Sequence, residues 1–414
     1  MPVDLTGFPA PRECTDKAPS VVVWLSLLLL FMLGGTLIAV LVWPRDGATH
    51  GGWFWACALV LPMGLWSCAL GVRLGKYLQA RADTDAVNAA LAERRDEFIC
   101  RGQRPAFVHA SSCTGQWGGS FLPLVMGRNR GDQETGPKSL VRPEDAADEA
   151  RLALACEAAL RPMLPDLQRG TAQGQLVVWL LVDFPGLDEM AERNAWDATW
   201  QKLELPGQPS VAAVERVPPS AGLAWLEAWL DDDDVDRSRA LHLLVVVRLG
   251  HAYAATHSEW TGAFLLGRTL HQRGEGTGAV RIHRPVTGPV ASLGQTLTTA
   301  QEWACCRPED LHWMWYCGDG SGHSEALAEL DGQGRRFAVD QGEGEVVLER
   351  FVSPCSAASV WMLIAFAVER AAQANGAQLV CAGSAGWCSA ALVVSTGAPG
   401  APDVAEAPQS ASGV

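Results

Sequence analysis

Apolar positions along this chain fall into three patterns, and each predicts a different element. The longest runs carry no charge: residues 21–43 (VVVWLSLLLLFMLGGTLIAVLVW) and residues 53–72. At about 1.5 Å per helical residue, each reaches across a hydrocarbon layer of roughly 30 Å. Trp24, Trp43, Trp53 and Trp55 stand near their ends, where indole rings anchor at a membrane interface. The second run follows the first within ten residues, so residues 21–75 predict a transmembrane helical hairpin rather than a cleaved leader. Next, Leu78, Ala82, Val87, Leu91 and Phe98 alternate with charged residues and predict an amphipathic connecting helix over 76–102. Residues 1–20 read as a polar tail, and residues 397–414, rich in Ala, Pro and Ser, as a disordered one.

Short apolar runs bounded by Gly and Pro make up the second pattern. They predict strands at 105–109, 175–184 (QLVVWLLVDF), 211–217, 241–249 (LHLLVVVRL), 260–267, 279–286, 311–316, 346–352, 378–382 and 389–395. Between them, helical spacing predicts helices at 144–160 (ended by Pro162), 187–203, 220–230, 295–305, 324–330 and 357–374. The last of these contains VWMLIAFAV, too short and too close to Glu369 and Arg370 for a membrane span, so it predicts a core helix. Each half of residues 103–396 alternates strands and helices and closes on two strands in succession. This repeated βαβαβαββ order predicts an α/β domain of five layers, with two central sheets around buried helices.

Charge then narrows the function classes. With 32 Lys+Arg against 46 Asp+Glu, the chain has a formal net charge of −14 and lacks the basic face that nucleic-acid binding needs. Arg45 is the firm positive charge of the turn at 44–52, whereas Arg73, Lys76, Arg81, Arg94, Arg95, Arg101 and Arg104 follow the second span. The positive-inside rule therefore predicts a two-pass protein with both ends and the large domain on the cytoplasmic side. The 12 cysteines are scattered without a CxxC pair, which suits a reducing compartment and predicts neither a structural disulfide nor a zinc site. The acidic run at 231–234 reads as a solvated loop.

The chemistry centres on residues 311–330, where a strand-like run breaks into Cys317-Gly318-Asp319-Gly320-Ser321-Gly322 and then a helix-like segment. Strand, glycine turn and helix frame many sites in layered α/β proteins. That turn, with Glu325 and Glu329 beyond it, resembles the His-Gly-Thr-Gly-Thr turn of the thiolase-like superfamily, most closely its β-ketoacyl synthase branch. Ser220-Ala221-Gly222-Leu223-Ala224-Trp225-Leu226 resembles the nucleophile segment of that family, and Pro354-Cys355-Ser356-Ala357-Ala358 its Gly-His turn. Gly383-Ser384-Ala385-Gly386-Trp387-Cys388-Ser389-Ala390-Ala391-Leu392-Val393 resembles its glycine-rich loop and last strand. The resemblance implies a thiolase-like fold with a cysteine nucleophile and two imidazole donors. Here Pro219 stands at the nucleophile position, and Cys317 and Cys355 at the two histidine positions. A proline cannot attack, and a neutral thiol cannot replace an imidazole as donor or cation.

This substitution pattern predicts loss of condensing activity: a catalytically inactive pseudoenzyme with no catalytic residue, no cofactor and no metal. The layout resembles accessory proteins encoded beside type VI secretion lipase effectors. That implies an adaptor on the bacterial inner membrane, lying in the lipid bilayer and binding a protein partner, a secretion effector, at its cytoplasmic face. The resemblance to thiolase-like domains also implies a homodimer paired through residues 211–217. A second reading stands beside the first. It is an acyl- or lipid-metabolising enzyme with a non-standard Cys-based site, in a cleft lined by Trp313, Trp315, Trp361 and Trp387. Cys317 and Cys355 read either as a redox or metal pair in that cleft or as small buried apolar residues. His251, His257 and His323 lack a triad-like partner, and the glycine loop at 274–278 precedes a strand and so lacks phosphate-cradle geometry.

Overall fold

A computed structural model describes residues 8–44, 52–115, 117, 147–173, 176–205, 214–232, 234, 239–250, 258–269, 279–318, 344–350, 352, 355–373, 376–384 and 386–395. The expected helix at 324–330, most of the glycine turn after Gly318, His251, His257, His323, Glu325, Glu329, Pro354, the loop at 274–278 and the tail at 397–414 lie outside these residues. The chain divides into two units, Val3–Cys100 and Arg101–Val414, the second together with Met1–Pro2.

In the first unit, helix α1 spans Val21–Val42. It packs against helix α2, which runs on from Gly52 past the unit boundary to Gly102 and includes one π-helical turn at Ala56–Val60. The apolar second run and the amphipathic segment thus form one continuous helix, where the charge pattern predicted a separate connecting helix at 76–102. Nothing breaks it because the change from apolar to charged residues alters solvation, not backbone preference, and no proline follows Pro62 before Pro105. Trp66 Nε1 donates to Trp24 O at 2.9 Å across the pair. A Cβ on Gly35 would lie 2.1 Å from Pro62 Cγ, so glycine there lets the helices close. Outward faces stay apolar: Val22 is 75% exposed, Leu41 74% and Trp53 79%. A water-soluble helix pair would bury such a surface; α1 and the start of α2 are long and apolar enough to cross a membrane.

The second unit is mixed α/β. Its elements are β1 (Ala106–Gly115), α3 (Asp148–Leu160), α4 (Leu164–Gln173), β2 (Leu176–Asp183), α5 (Glu189–Lys202), β3 (Val214–Arg216), α6 (Ala224–Asp231), β4 (Leu241–Arg248) and β5 (Trp260–Gly267). Then follow β6 (Val280–Ile282), β7 (Val286–Pro289), α7 (Leu293–Ala304), β8 (Leu311–Cys317), β9 (Glu345–Val347), α8 (Ser359–Gln373), β10 (Ala377–Ser384) and β11 (Trp387–Ser395). The strands hydrogen-bond in the order β3-β2-β4-β5-β1-β6-β11-β10-β8-β9, with β7 on β11. Read outward from the middle, 1-5-4-2-3 mirrors 6-11-10-8-9. In each half the inner hairpin is antiparallel (β4–β5, β10–β11) and the outer pairs are parallel. The duplication read from element order is therefore a duplication of topology.

One expectation needs correction. Among the described residues the strands form one sheet, not two, because β6 pairs with β1 on one side and β11 on the other. The layers survive nonetheless. Leu244, Val246 and Phe264 from one half and Trp315, Val380 and Val393 from the other pack in one cluster with α6 and α8. Residues 359–368 are all buried, so α8 is covered on every side and the sheet must curl around it. Outer faces are covered by α3, α4 and α5 over the first half and by α7 over the second. Being covered on both faces is why all eight residues of β4 are buried and why its sequence reads as an unbroken apolar run.

Local boundaries differ where backbone chemistry allows. Pro162 ends α3, but only as the second residue of a 3-10 turn that feeds directly into α4. Proline suits a helix start, so it punctuates without stopping the chain. The run at 279–286 splits into β6 and β7, and the run at 346–352 pairs only through Val347 before a 3-10 turn at Leu348–Arg350. Asp231 is not part of a solvated loop: its carboxylate accepts from Arg284 Nη2 at 2.6 Å, with Arg101 3.3 Å away. Burial acts to raise the Asp231 carboxyl, but the Arg284 hydrogen bond and charge, with Arg101, outweigh it and hold it below the usual range.

The seam between the halves carries a pH response. Burial, and then the charge of Arg281, push the His283 imidazole beside β6 down to about 4. The unfolded chain then binds the extra proton first, so stability is complete above pH ~6.5 and falls by about 1.4 kcal/mol per pH unit toward pH 4. Urea unfolding between pH 6.5 and 5, above the range of ordinary carboxylates, should show this slope. His283→Gln should flatten it.

Candidate active site

The C-terminal ends of the parallel strands from both halves meet at the start of α8. Asp183 is the last residue of β2, Arg248 of β4 and Cys317 of β8, while Glu349 lies in the turn after β9. Such strand ends are where α/β sheets place their sites. The sequence folds this way because each apolar strand stops at its first charged or glycine position, leaving a polar side chain at the layer's rim.

Hydrogen bonds tie these ends to residues 355–359. Ser356 Oγ donates to Asp183 Oδ2 at 2.9 Å, and Arg248 Nη1 donates to Ser359 Oγ at 2.9 Å. Arg248 Nε also lies 3.7 Å from Asp183 Oδ2. Both Arg248 and Ser359 are buried. On the other side, the Gly318 amide donates to Glu349 Oε1. Gly318 has φ +140°, and a Cβ there would lie 2.3 Å from Gly383 O, so only glycine lets β8 pass this close to β10.

Cys355 sits between these groups, half-buried, before the first turn of α8. Its thiol donates to Val352 O at 3.7 Å, and the Glu349 carboxylate, the Arg248 guanidinium and the Ser359 hydroxyl are the groups nearby that act on it. Burial, then the Glu349 charge, push the thiol up to about 12, while Arg248 and Ser359 act the other way. Cys317 is only 3% exposed. Burial raises its thiol well above the ordinary range, followed by the effect of neighbouring Cys355. It packs in the central apolar cluster, and its environment is that of a small buried apolar residue.

Pro219 begins a 3-10 turn, Pro219–Ala221, ahead of α6. That turn ends at Gly222, whose carbonyl accepts from Trp361 Nε1 at 3.2 Å and whose Cα faces Ala357. The structure therefore brings Cys317 and Cys355 together and sets the Pro219 turn against the same end of α8. It does not gather the tryptophans into a cleft. Trp315 and Trp361 are fully buried core, Trp313 lies beneath the Arg370 guanidinium (4.7 Å), and Trp387 is 56% exposed. All twelve cysteines are free thiols, and no group of three or more His, Cys, Asp or Glu among the described residues is arranged to hold a metal ion.

Glu349, Ser359, Arg248 and Asp183 were not singled out from the sequence. A signal existed for two of them: Asp183 and Arg248 are opposite charges closing adjacent apolar runs, and parallel pairing sets them opposite each other. Glu349 and Ser359 carried none.

No protein-family model matches the chain, and no curated protein matches it by sequence. Solved structures are similar at low identity. The ketosynthase from module 1 of the bacillaene synthase of Bacillus amyloliquefaciens FZB42 is 10% identical over 75% of each chain, with a TM-score of 0.48. Acetamide-bound OleA of Xanthomonas campestris is 14% identical over 70% of this chain and 98% of that one, with a TM-score of 0.46. The 3-oxoacyl-(acyl carrier protein) synthase III of Pseudomonas aeruginosa PAO1 is 15% identical over 72% of this chain and all of that one, with a TM-score of 0.41. These proteins are enzymes, and nothing found marks this chain as a degenerate one, so the expectation of an inactive pseudoenzyme is corrected. The adaptor and secretion expectations gain no support from the same comparisons. The chain is a mixed α/β protein with a duplicated sheet order.

Proposed function

We propose that the chain is an acyl-transfer enzyme that uses Cys355 as its nucleophile and Glu349 as its base, held at a membrane by the helical pair. One observation carries the reading: a half-buried thiol just before α8, in the electrostatic reach of the Glu349 carboxylate and of an Arg248 guanidinium that donates to Ser359 Oγ. A thiol nucleophile with a carboxylate base close by is a pattern of covalent catalysis. The acyl class follows from the motif resemblance, and the membrane association from the two apolar helices and the Arg/Lys excess after the second.

The protonation balance sets how the step runs. With the thiol at about 12, the free thiolate at pH 7 is on the order of one part in 10⁵. Attack must therefore be coupled to proton removal. The Cys355 sulfur bonds to the carbonyl carbon of an acyl thioester as its proton passes to Glu349. The carbon–sulfur bond of the donor then breaks, and the departing thiolate takes that proton, leaving an acyl-enzyme.

Incubation of the full-length protein with octanoyl-coenzyme A, followed by peptide mass spectrometry, tests this directly. An octanoyl mass is expected on the peptide carrying Cys355, absent in Cys355→Ala. Glu349→Gln should form it roughly 10²–10⁴-fold more slowly, as expected for loss of a general base. No adduct, or an adduct retained in Cys355→Ala, would overturn the assignment.

A further inference from the structure

Helix α1 and the first part of α2 do not fill the space between them. A groove of about 600 Å³ runs along the pair, within the ~300–1,000 Å³ of small-molecule sites. Two neighbouring glycines shape it. Gly35 lets the helices touch, since a Cβ there would lie 2.1 Å from Pro62 Cγ, whereas a Cβ on Gly34 would meet nothing within 4 Å. The α2 wall includes Cys57, within the π-helical turn at Ala56–Val60, a distortion frequent at functional sites. Ile38, Val42, Leu61 and Leu65 line the groove and are themselves exposed, so it opens sideways from the pair. None of the described residues that line it carries a charge.

Trp43 stands at one end of the lining. It is the last residue of the uncharged run, at the level where hydrocarbon meets the polar layer of a bilayer. Its ring packs edge-on against Phe54 at 5.2 Å, and its Nε1 is buried without an acceptor among the described residues. Trp66 differs, because the pair itself satisfies its N–H at Trp24 O. An N–H left unpaired in hydrocarbon is costly, so this end of the groove calls for an acceptor. From Trp43 back to Phe31, the far end of the α1 lining, is about 18 Å of helix. Half of the hydrocarbon layer is roughly 15 Å.

We infer that the groove binds one acyl chain of a glycerolipid from the leaflet on the side of the turn at 44–52, the chain's ester carbonyl accepting from Trp43 Nε1. The assignment rests on the helical pair lying in a membrane, as proposed above, and is independent of Cys355. The length fits a chain that starts at the interface and ends near the midplane. A second copy of the pair would bring apolar side chains but no free acceptor, because helix carbonyls inside a bilayer are engaged in their own ladder. A free fatty acid would strand its carboxylate, since no cation lines the groove among the described residues. A neutral ester carbonyl meets both conditions.

The test is lipid retention. The full-length protein is reconstituted in vesicles of phosphatidylethanolamine, extracted in mild detergent and weighed by native mass spectrometry. One lipid per chain should stay bound. Gly34→Leu fills the groove and should lower retention on the order of tenfold. Trp43→Phe keeps a ring but removes the donor, and should lower it roughly fivefold, the worth of one hydrogen bond. Vesicles of the diether analogue, which lacks the ester carbonyl, should show the same loss with the wild-type protein and no further loss with Trp43→Phe. Equal retention of ester and ether lipid by the wild type would overturn the assignment, even where Gly34→Leu folds poorly. A second copy of the chain retained in place of lipid, and released by Gly34→Leu, would overturn it too. Recovery of the chain in the soluble fraction after lysis would remove the membrane reading and the groove assignment together. A membrane-bound chain that retains no lipid would remove the groove assignment alone.

Discussion

Replacing Arg151 with methionine should destabilise the α/β unit by about 3–5 kcal/mol, the range for breaking a buried ion pair from one side. The Arg151 guanidinium is 3% exposed and lies 2.6 Å from Glu259, whose side chain is 5% exposed. Arg151 Nη2 also donates to Gly250 O at 3.0 Å, and the Gly250 amide donates back to Glu259 Oε1 at 3.2 Å. The guanidinium lies 5.3 Å from the centre of the Phe184 ring, so its removal costs packing as well as charge. Methionine fills much of the volume but strips the Glu259 carboxylate of its buried counter-charge. Most of the loss comes from that stranded charge, not from the net worth of the pair. Arg151→Met with Glu259→Met should therefore recover most of the stability, as apolar replacements of buried pairs do. Urea unfolding followed by tryptophan fluorescence gives both numbers. Equal loss in the single and double variants would show that the pair is held by packing alone.

Gly318→Ala should be nearly as damaging, by roughly 3–5 kcal/mol from a strained backbone and an overpacked contact together. A methyl there meets Gly383 O at 2.3 Å and two further backbone atoms of that residue at 2.8 Å, and φ is +140°. No side chain can rotate away, because all three are backbone atoms of β10. Relief requires β8 and β10 to part where Cys317 stands opposite Ala382. That also breaks the Gly318 amide bond to Glu349, so octanoyl capture on Cys355 should fall with stability. Gly376→Ala is the control. Its Cβ meets His312 Cδ2 at 2.8 Å, the ring of an exposed side chain that can turn, and a loss under about 1 kcal/mol is expected. Similar losses at both glycines would mean that β8 and β10 can separate freely here.

How much of this protein was legible in its sequence depends on the range of the interaction. Elements held by burial were readable. The uncharged runs became α1 and the first part of α2; QLVVWLLVDF contains β2, LHLLVVVRL contains β4, and VWMLIAFAV lies within α8. Their order predicted the duplication, since a chain that alternates these runs twice can bury them in few ways. The register of the joint was not readable: β6 is three residues long, and whether it links two sheets or ends one depends on where β1 and β11 come to rest.

The candidate site divides the same way. Motif likeness located Cys317, Cys355 and the Pro219 turn, and these segments do border the start of α8. It could not show what surrounds the start of α8, because two of the charged groups there lie far off along the chain. Asp183 reaches Ser356 across 173 residues, and Arg248 reaches Ser359 across 111. Hydrophobic periodicity is a local property, written within some ten residues of itself, and the sequence alone determined the elements that depend on it. A hydrogen bond between two strand ends and a helix start depends on how the sheet curls, and only the tertiary structure decided that Asp183 and Arg248 bond to Ser356 and Ser359 at the start of α8.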